Sequence, residues 1–294
     1  MIDFFSSIAR TVDAQVLAAM DAVITAGIAD MRLQIAAVLS LMILILGALA
    51  FLGRMDLNMA ATAAVRAVCI SFLLQAPNFN YYVRDLFFTD LPNRLAAAVG
   101  GPRVDVSSAA QFDALLAAGI NAQTYVLSVA TGFSGIADRV ISYIQVGLLG
   151  AALVIIFALW LLTRIFMAII ILLGPFVLML FLFQATRRYV EQWVGMLIGM
   201  VSLQLGTSIV LRILLVIITD KMRTMQAVAQ ANASVDVLHT YLGNMALICW
   251  FGVIIMVCLP GAIALGAGSG ASAAVMAGGQ IRSAITSPTR LLRR

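Results

Sequence analysis

Long apolar runs separated by short polar breaks dominate this chain. Residues 34–53, QIAAVLSLMILILGALAFLG, hold no charge and are as long as the roughly 20-residue helix that crosses a bilayer. A tight break, RMDL, carries Arg54 and Asp56. Residues 57–76, LNMAATAAVRAVCISFLLQA, predict a second span that Pro77 and Asn78 end. Its alanines would let neighbouring helices approach closely in lipid. Residues 143–184 are almost continuously apolar. As one helix they would reach about 60 Å, twice the hydrocarbon thickness, so Arg164 is expected to divide them into 143–163 and 165–184. Residues 194–219 and 241–264 predict the remaining spans, with a polar, helix-prone stretch at 220–240 between them. Backbone groups in lipid must be satisfied within helices or a closed barrel. Runs this long, without period-two alternation, choose helices.

Two regions are amphipathic instead. Along residues 2–31, Phe5, Ile8, Val12, Val16, Met20 and Val23 recur at helical spacing, with Asp3, Asp13, Asp21 and Asp30 off that stripe. This helix is expected to lie on the membrane surface or against a neighbouring chain. Its acids also argue against a cleavable signal peptide, which needs a basic start and an apolar core. Residues 77–142 form the long polar insertion. NYYVRDLFFTDLPNRLAAAV reads as an amphipathic helix interrupted by Pro92, and GGPR reads as a turn. A second helix would start with Ser107 or Ser108 as its N-cap. After Pro260 comes a Gly/Ala/Ser-rich tail ending in Arg282, Arg290, Arg293 and Arg294.

These elements predict an all-α, polytopic transmembrane protein. It would have five full crossings plus one broken or re-entrant segment, or alternatively six crossings. Gly174-Pro175, in the middle of an apolar run, is the expected break: proline removes a backbone donor and glycine permits a bend. The expected units are an N-terminal helix at 1–33, two spans at 34–76, a helical insertion at 77–142, a transmembrane region at 143–264 and a basic tail at 265–294. Basic residues favour the cytoplasm, which puts Arg187, Arg188 and the C-terminal arginines inside. Simple arginine counting favours six crossings and would put the 77–142 unit there too. Such counts weigh little in long loops, however. With five crossings, the N-terminus and that unit lie outside.

Composition sharpens the class. Hydrophobic residues make up 63% of the 294 positions, charged residues 11%, and the mean hydropathy is +1.07. The net charge is +5, and Lys221 is the only lysine. With no dense basic block, this charge reads as membrane anchoring rather than nucleic-acid binding. Cys69, Cys249 and Cys258 lie in apolar runs and read as small hydrophobes. His239 is the single histidine, so a zinc site is not expected. No phosphate loop, HExxH or GxSxG occurs, and no carboxylate pair suggests acid-base work. The expectation is a non-enzyme without cofactor or metal.

Four groups of residues are candidates for function. Arg66, near the middle of the second span, needs a lumen, another subunit, a lipid phosphate or a snorkelling route. Gln204, Ser208 and Arg212 share one face of a span and should meet protein or water, as pore lining or as interhelical glue. Gly174 and Pro175 mark the helix break. Arg187, Arg188, Glu191 and Trp193 form a knot at the membrane interface. It would either anchor the chain or dock a cytoplasmic partner, with Glu191 in helical reach of an arginine.

Residues 172–205, LLGPFVLMLFLFQATRRYVEQWVGMLIGMVSLQL, resemble the TrbL/VirB-type polytopic inner-membrane subunit of type IV secretion systems. Leu173, Gly174, Pro175, Thr186, Arg187, Arg188, Trp193, Gly195 and Gln204 carry the resemblance. The resemblance implies a multi-pass protein of the bacterial inner membrane, with a periplasmic N-terminus and insertion and a cytoplasmic C-terminus. It implies a homo-oligomeric, pentameric ring that supports DNA or protein translocation and pilus assembly. The implied partners are a pilus-base or stalk protein, inner-membrane scaffold proteins, the secretion ATPase, the translocating cargo and membrane lipids. The rival reading is a stand-alone multi-pass small-molecule transporter, which should show two related halves with paired broken helices.

Overall fold

A computed structural model describes residues 3–52, 57–98, 106–130, 135–181, 186–231 and 234–266. Among them every regular element is helical. Helix α1 (Phe4–Asp30) leads into α2 (Arg32–Phe51) through Met31 alone. The Met31 amide donates to the Gly27 carbonyl at 3.0 Å, and its carbonyl accepts from Ile35 at 2.8 Å, so the two helices are nearly continuous. Helix α3 (Leu57–Leu73) follows. Next come α4 (Ala76–Phe79), a π-helix (Asn80–Asp90) and α5 (Leu91–Ala98) in unbroken succession. An 11-residue π-helical run is uncommon, because such turns mostly occur singly and gather at functional sites. Helices α6 (Val106–Val129), α7 (Ile136–Leu172), α8 (Gly174–Leu180), α9 (Arg187–Gln230) and α10 (Val235–Gly266) complete the chain.

Two apolar clusters organise these helices. The first joins α6, α7, α9 and α10 and takes in Phe5 and Ala9 of α1; Leu153, Trp160, Leu211, Leu242 and Cys249 are among its buried members. The second joins the rest of α1 to α3, the π-helix, the end of α7, α8 and the start of α9, around Met20, Ile24, Phe79, Met167 and Trp193. Helices α9 and α10 run antiparallel at close range. A Cβ at Gly206 would stand 2.9 Å from Leu259, and one at Gly252 would stand 2.7 Å from Leu214. Helix α2 is different. It is apolar all round, and Leu33, Ile43, Leu44 and Phe51 stand exposed, as lipid contact permits.

Five helices are long and apolar enough to cross a membrane: Phe4–Asp30, Arg32–Phe51, Ile136–Leu172, Arg187–Val228 and Val235–Ile263. The all-α, multi-pass class therefore stands, although the five are not all the segments expected. α1 joins the set, whereas α3 ends at Leu73 and holds only a shorter apolar stretch, Ala64–Leu73. The expected division at Arg164 does not occur. α7 runs through it as one 37-residue helix, about 55 Å long, and breaks at Gly174 instead. The stretch 165–184 is thus the end of α7 plus the seven-residue α8, followed by residues outside the described set. α6 begins at Val106, so Ser107 and Ser108 lie within the helix rather than capping it. α10 continues past Pro260 to Gly266. An internal proline is tolerated in membrane helices where neighbouring groups take up the freed carbonyl.

The amphipathic N-terminal helix buries part of its surface, with Phe5, Ala9, Met20 and Ile24 among its buried residues. It packs along α6 and α7 of its own chain. Within the insertion, Phe112, Leu115 and Val126 of α6 belong to the first apolar cluster.

Candidate functional site

The centre of the molecule is a buried ion pair. Arg164, 5% exposed, lies within α7, and Asp13, 8% exposed, lies on α1. The Arg164 Nε donates to Asp13 Oδ1 at 2.9 Å. A buried guanidinium without a partner costs several kcal/mol, and more in lipid. Here the carboxylate cancels the charge, and two rings cover the flat faces. Cζ of Arg164 stands 4.7 Å from the Phe88 ring centre, on the π-helix, and 5.5 Å from that of Trp160. Cation–π contacts of this kind gain strength as water is excluded. This neutralisation removes the reason for α7 to break at Arg164.

Two further carboxylates hold α1. Asp113 of α6 accepts from the Phe5 amide at 2.9 Å and the Ser6 amide at 3.0 Å, one through each oxygen. The first amides of a helix have no partners within it and carry partial positive charge, so a carboxylate there both satisfies and attracts them. Farther along α1, Asp21 Oδ1 accepts from Arg84 Nη1 at 2.7 Å and Asn80 Nδ2 at 2.6 Å, both on the π-helix. Arg84 Nε also donates to Asp85 at 2.8 Å. Burial works against the Arg84 charge, yet the carboxylates of Asp85 and Asp21 outweigh it and hold the guanidinium above its ordinary range. The π-helix thus turns Asn80, Arg84 and Phe88 toward α1 and its partner helix.

A second centre forms at the helix break. Gly174 and Pro175 are both buried. A Cβ on Gly174 would stand 2.6 Å from Phe79 Cζ and 2.8 Å from Trp193 Cζ2. Two aromatic rings close on this backbone, so only glycine fits. The Trp193 indole N–H donates to the Ile170 carbonyl at 2.8 Å, satisfying one acceptor in the last turn of α7. The break therefore serves the meeting of α4, α7, α8 and α9.

The other candidate residues scatter. Arg66 is half-buried, with Cζ 5.2 Å from the Phe181 ring centre just past α8. Gln204 is fully buried; its Nε2 lies 3.2 Å from Met167 Sδ, and its Oε1 has no hydrogen-bond partner. Ser208 is buried on the same face. Both therefore face protein within this chain. Arg212, grouped with them by spacing, is exposed. The interface knot also divides. Arg187 donates to Glu191 at 2.7 Å across one exposed helical turn, and Arg188 is exposed. Trp193 points inward and is buried, so it is not a headgroup anchor. His239 bonds through Nδ1 to Gln145 Oε1 at 3.2 Å, and Gln145 Nε2 donates to the His239 carbonyl at 3.2 Å. Among the described residues no group of three or more His, Cys, Asp or Glu gathers as metal ligands would.

Sequence reading missed Asp13, Asp113, Asp21 and Phe88. The one available signal was Arg164 itself: a cation inside an apolar run requires an acid somewhere in the fold.

These features define a multi-pass helical membrane protein with a buried Asp13–Arg164 pair and a helix break closed by aromatic rings. Residues 41–259, more than half of the chain, match the family described as TrbL/VirB6 plasmid conjugal transfer protein, and the chain belongs to that family. The matched region includes the Gly174-Pro175 and Trp193 positions. The type IV secretion system protein VirB6 of Bartonella quintana (strain Toulouse) is 28% identical over 249 residues, covering 80% of this chain and 71% of the relative. The protein of the same name from Bartonella henselae (strain Houston 1) is 26% identical over 310 aligned positions, covering 98% and 88%.

Proposed function

We propose that this protein is the inner-membrane channel and scaffold subunit of a bacterial type IV secretion system, working as a homo-oligomeric ring that supports DNA or protein translocation and pilus assembly. Family membership carries the coarser part: the chain is a multi-pass inner-membrane subunit of such a system and works with its other subunits. The ring, its pentameric count and the pilus role are the finer reading, supported by the resemblance at Leu173–Gly174–Pro175 and Trp193. In that reading the N-terminus and residues 77–142 face the periplasm and the C-terminus faces the cytoplasm. Partner ATPases supply the energy, and the chain acts by assembly.

Gln204 and Ser208 serve packing within one subunit. Exposed Arg212 and Arg188 are among the cations available to other subunits or to lipid phosphate. Arg66 of α3 stands over the Phe181 ring just past α8.

The test has two arms. Native mass measurement of the full chain extracted in lipid nanodiscs should show a closed oligomer, whereas a stable monomer that moves solutes unaided would overturn the reading. A cysteine at Ser108 in intact cells should react with a membrane-impermeant maleimide. Reaction only after lysis would overturn the orientation.

A further inference from the structure

We propose that α1 is a strap across a groove formed by α6, α7 and the π-helix, and that the Asp13–Arg164 pair is its lock. The strap is an addition to the secretion reading and does not depend on it.

Carboxylate contacts bind α1 at three places along one helix: Asp113 on its first amides, Asp13 on Arg164, and Asp21 on Arg84 and Asn80. Apolar packing lies between them, with Phe5 against Phe112 and Phe157 at ring-centre distances of 5.6 and 4.9 Å. Two of the three contacts are exchangeable. Helix amides left free can turn to water, and the Asp21 side chain is more than half exposed already. The middle contact differs, because both partners are buried. If α1 leaves, Arg164 stays between Trp160 and Phe88 and loses the Asp13 carboxylate. If α1 carries no acid at position 13, the seated helix brings no carboxylate to that buried guanidinium. Seating of α1 is therefore conditional on a charge match within the groove. The rest of the N-terminal region does little to hold it, since α2 stands largely uncovered and joins α1 through Met31 alone.

Seating can be read by thiol protection. Ser6, 4% exposed, sits at the head of the strap, and Ser6→Cys is a near-isosteric probe. Cys249, 0% exposed on α10, reports whether the bundle itself stays folded. With Cys69 and Cys258 replaced by serine, the full chain in lipid nanodiscs is treated with N-ethylmaleimide, and the two sites are followed by mass spectrometry. In the parent both thiols should be protected. Asp13→Arg, or Arg164→Asp, should speed labelling of the Ser6→Cys thiol by roughly 100-fold, the scale of a broken buried pair, while Cys249 stays protected. The double exchange, Asp13→Arg with Arg164→Asp, should restore most of the protection. Three results would overturn the lock: single variants as protected as the parent, no recovery in the double exchange, or Cys249 exposed together with the Ser6→Cys thiol. The last would show that the pair supports the whole bundle rather than a strap.

Discussion

Gly174→Ala is the sharpest test of the helix break. The added methyl would lie 2.6 Å from Phe79 Cζ and 2.8 Å from Trp193 Cζ2. Carbon atoms rest about 3.5–4.0 Å apart, so the clash is close to 1 Å deep on two sides. Neither ring yields easily. Trp193 is tied by its indole to Ile170 at 2.8 Å, and Phe79 is fully buried in the second cluster. Overpacking by a methyl in a filled core costs about 1–3 kcal/mol, roughly a 5- to 150-fold loss in the folded-to-unfolded ratio. Thermal unfolding in detergent should show the apparent melting temperature falling by roughly 2–12 °C. Gly195→Ala and Gly199→Ala are matched controls, because a Cβ at either position meets nothing within 4 Å. They should melt with the parent or slightly above it. Phe79→Leu in the Gly174→Ala background should recover part of the loss by removing the ring edge. A Gly174→Ala protein that melts with the parent would refute the close approach, leaving the glycine only its backbone freedom.

Three further outcomes are expected. Trp193→Phe keeps the ring and removes the donor to Ile170, so it should lower stability by about 1 kcal/mol in the same melting assay; no change would mean the bond contributes nothing. Gln204→Leu replaces a buried amide whose Oε1 has no partner, and it should leave stability unchanged or raise it by up to about 2 kcal/mol. A marked loss of transfer with normal membrane levels would instead give Gln204 a role beyond packing. Asp113→Ala frees the Phe5 and Ser6 amides, and hydrogen exchange at the start of α1 should accelerate by about tenfold or more. Unchanged exchange would show that another group takes over the cap.

Much of the architecture was legible from residue order. Runs such as 34–53 and 241–264 exceed a bilayer crossing and hold few charges, so helix and lipid follow from length and hydropathy alone. The Gly174-Pro175 break was legible because proline and glycine act on their own backbone. What was not legible depends on partners far away in sequence. Arg164 looked like a divider because its neighbours are apolar, and its counter-ion lies 151 residues earlier. The acids of α1 were placed only as lying off the apolar stripe, because periodicity ranks residues by hydropathy, not by charge matching. Trp193 looked like an interface anchor through its proximity to Arg187 and Arg188, but the helix turns it inward toward Ile170. Gln204 and Ser208 are both buried, and Arg212 was grouped with them by a four-residue step. Over two such steps the face drifts, enough to leave Arg212 exposed.

The distance between Asp13 and Arg164 along the chain has a consequence for biosynthesis. A ribosome adding about 5–20 residues per second emits the aspartate roughly 8–30 s before the arginine that neutralises it. Throughout that interval the first helix carries Asp13 without Arg164 to neutralise it. Its final seat exists only once the seventh helix has been delivered, so the N-terminal helix is the first to be made and among the last to come to rest.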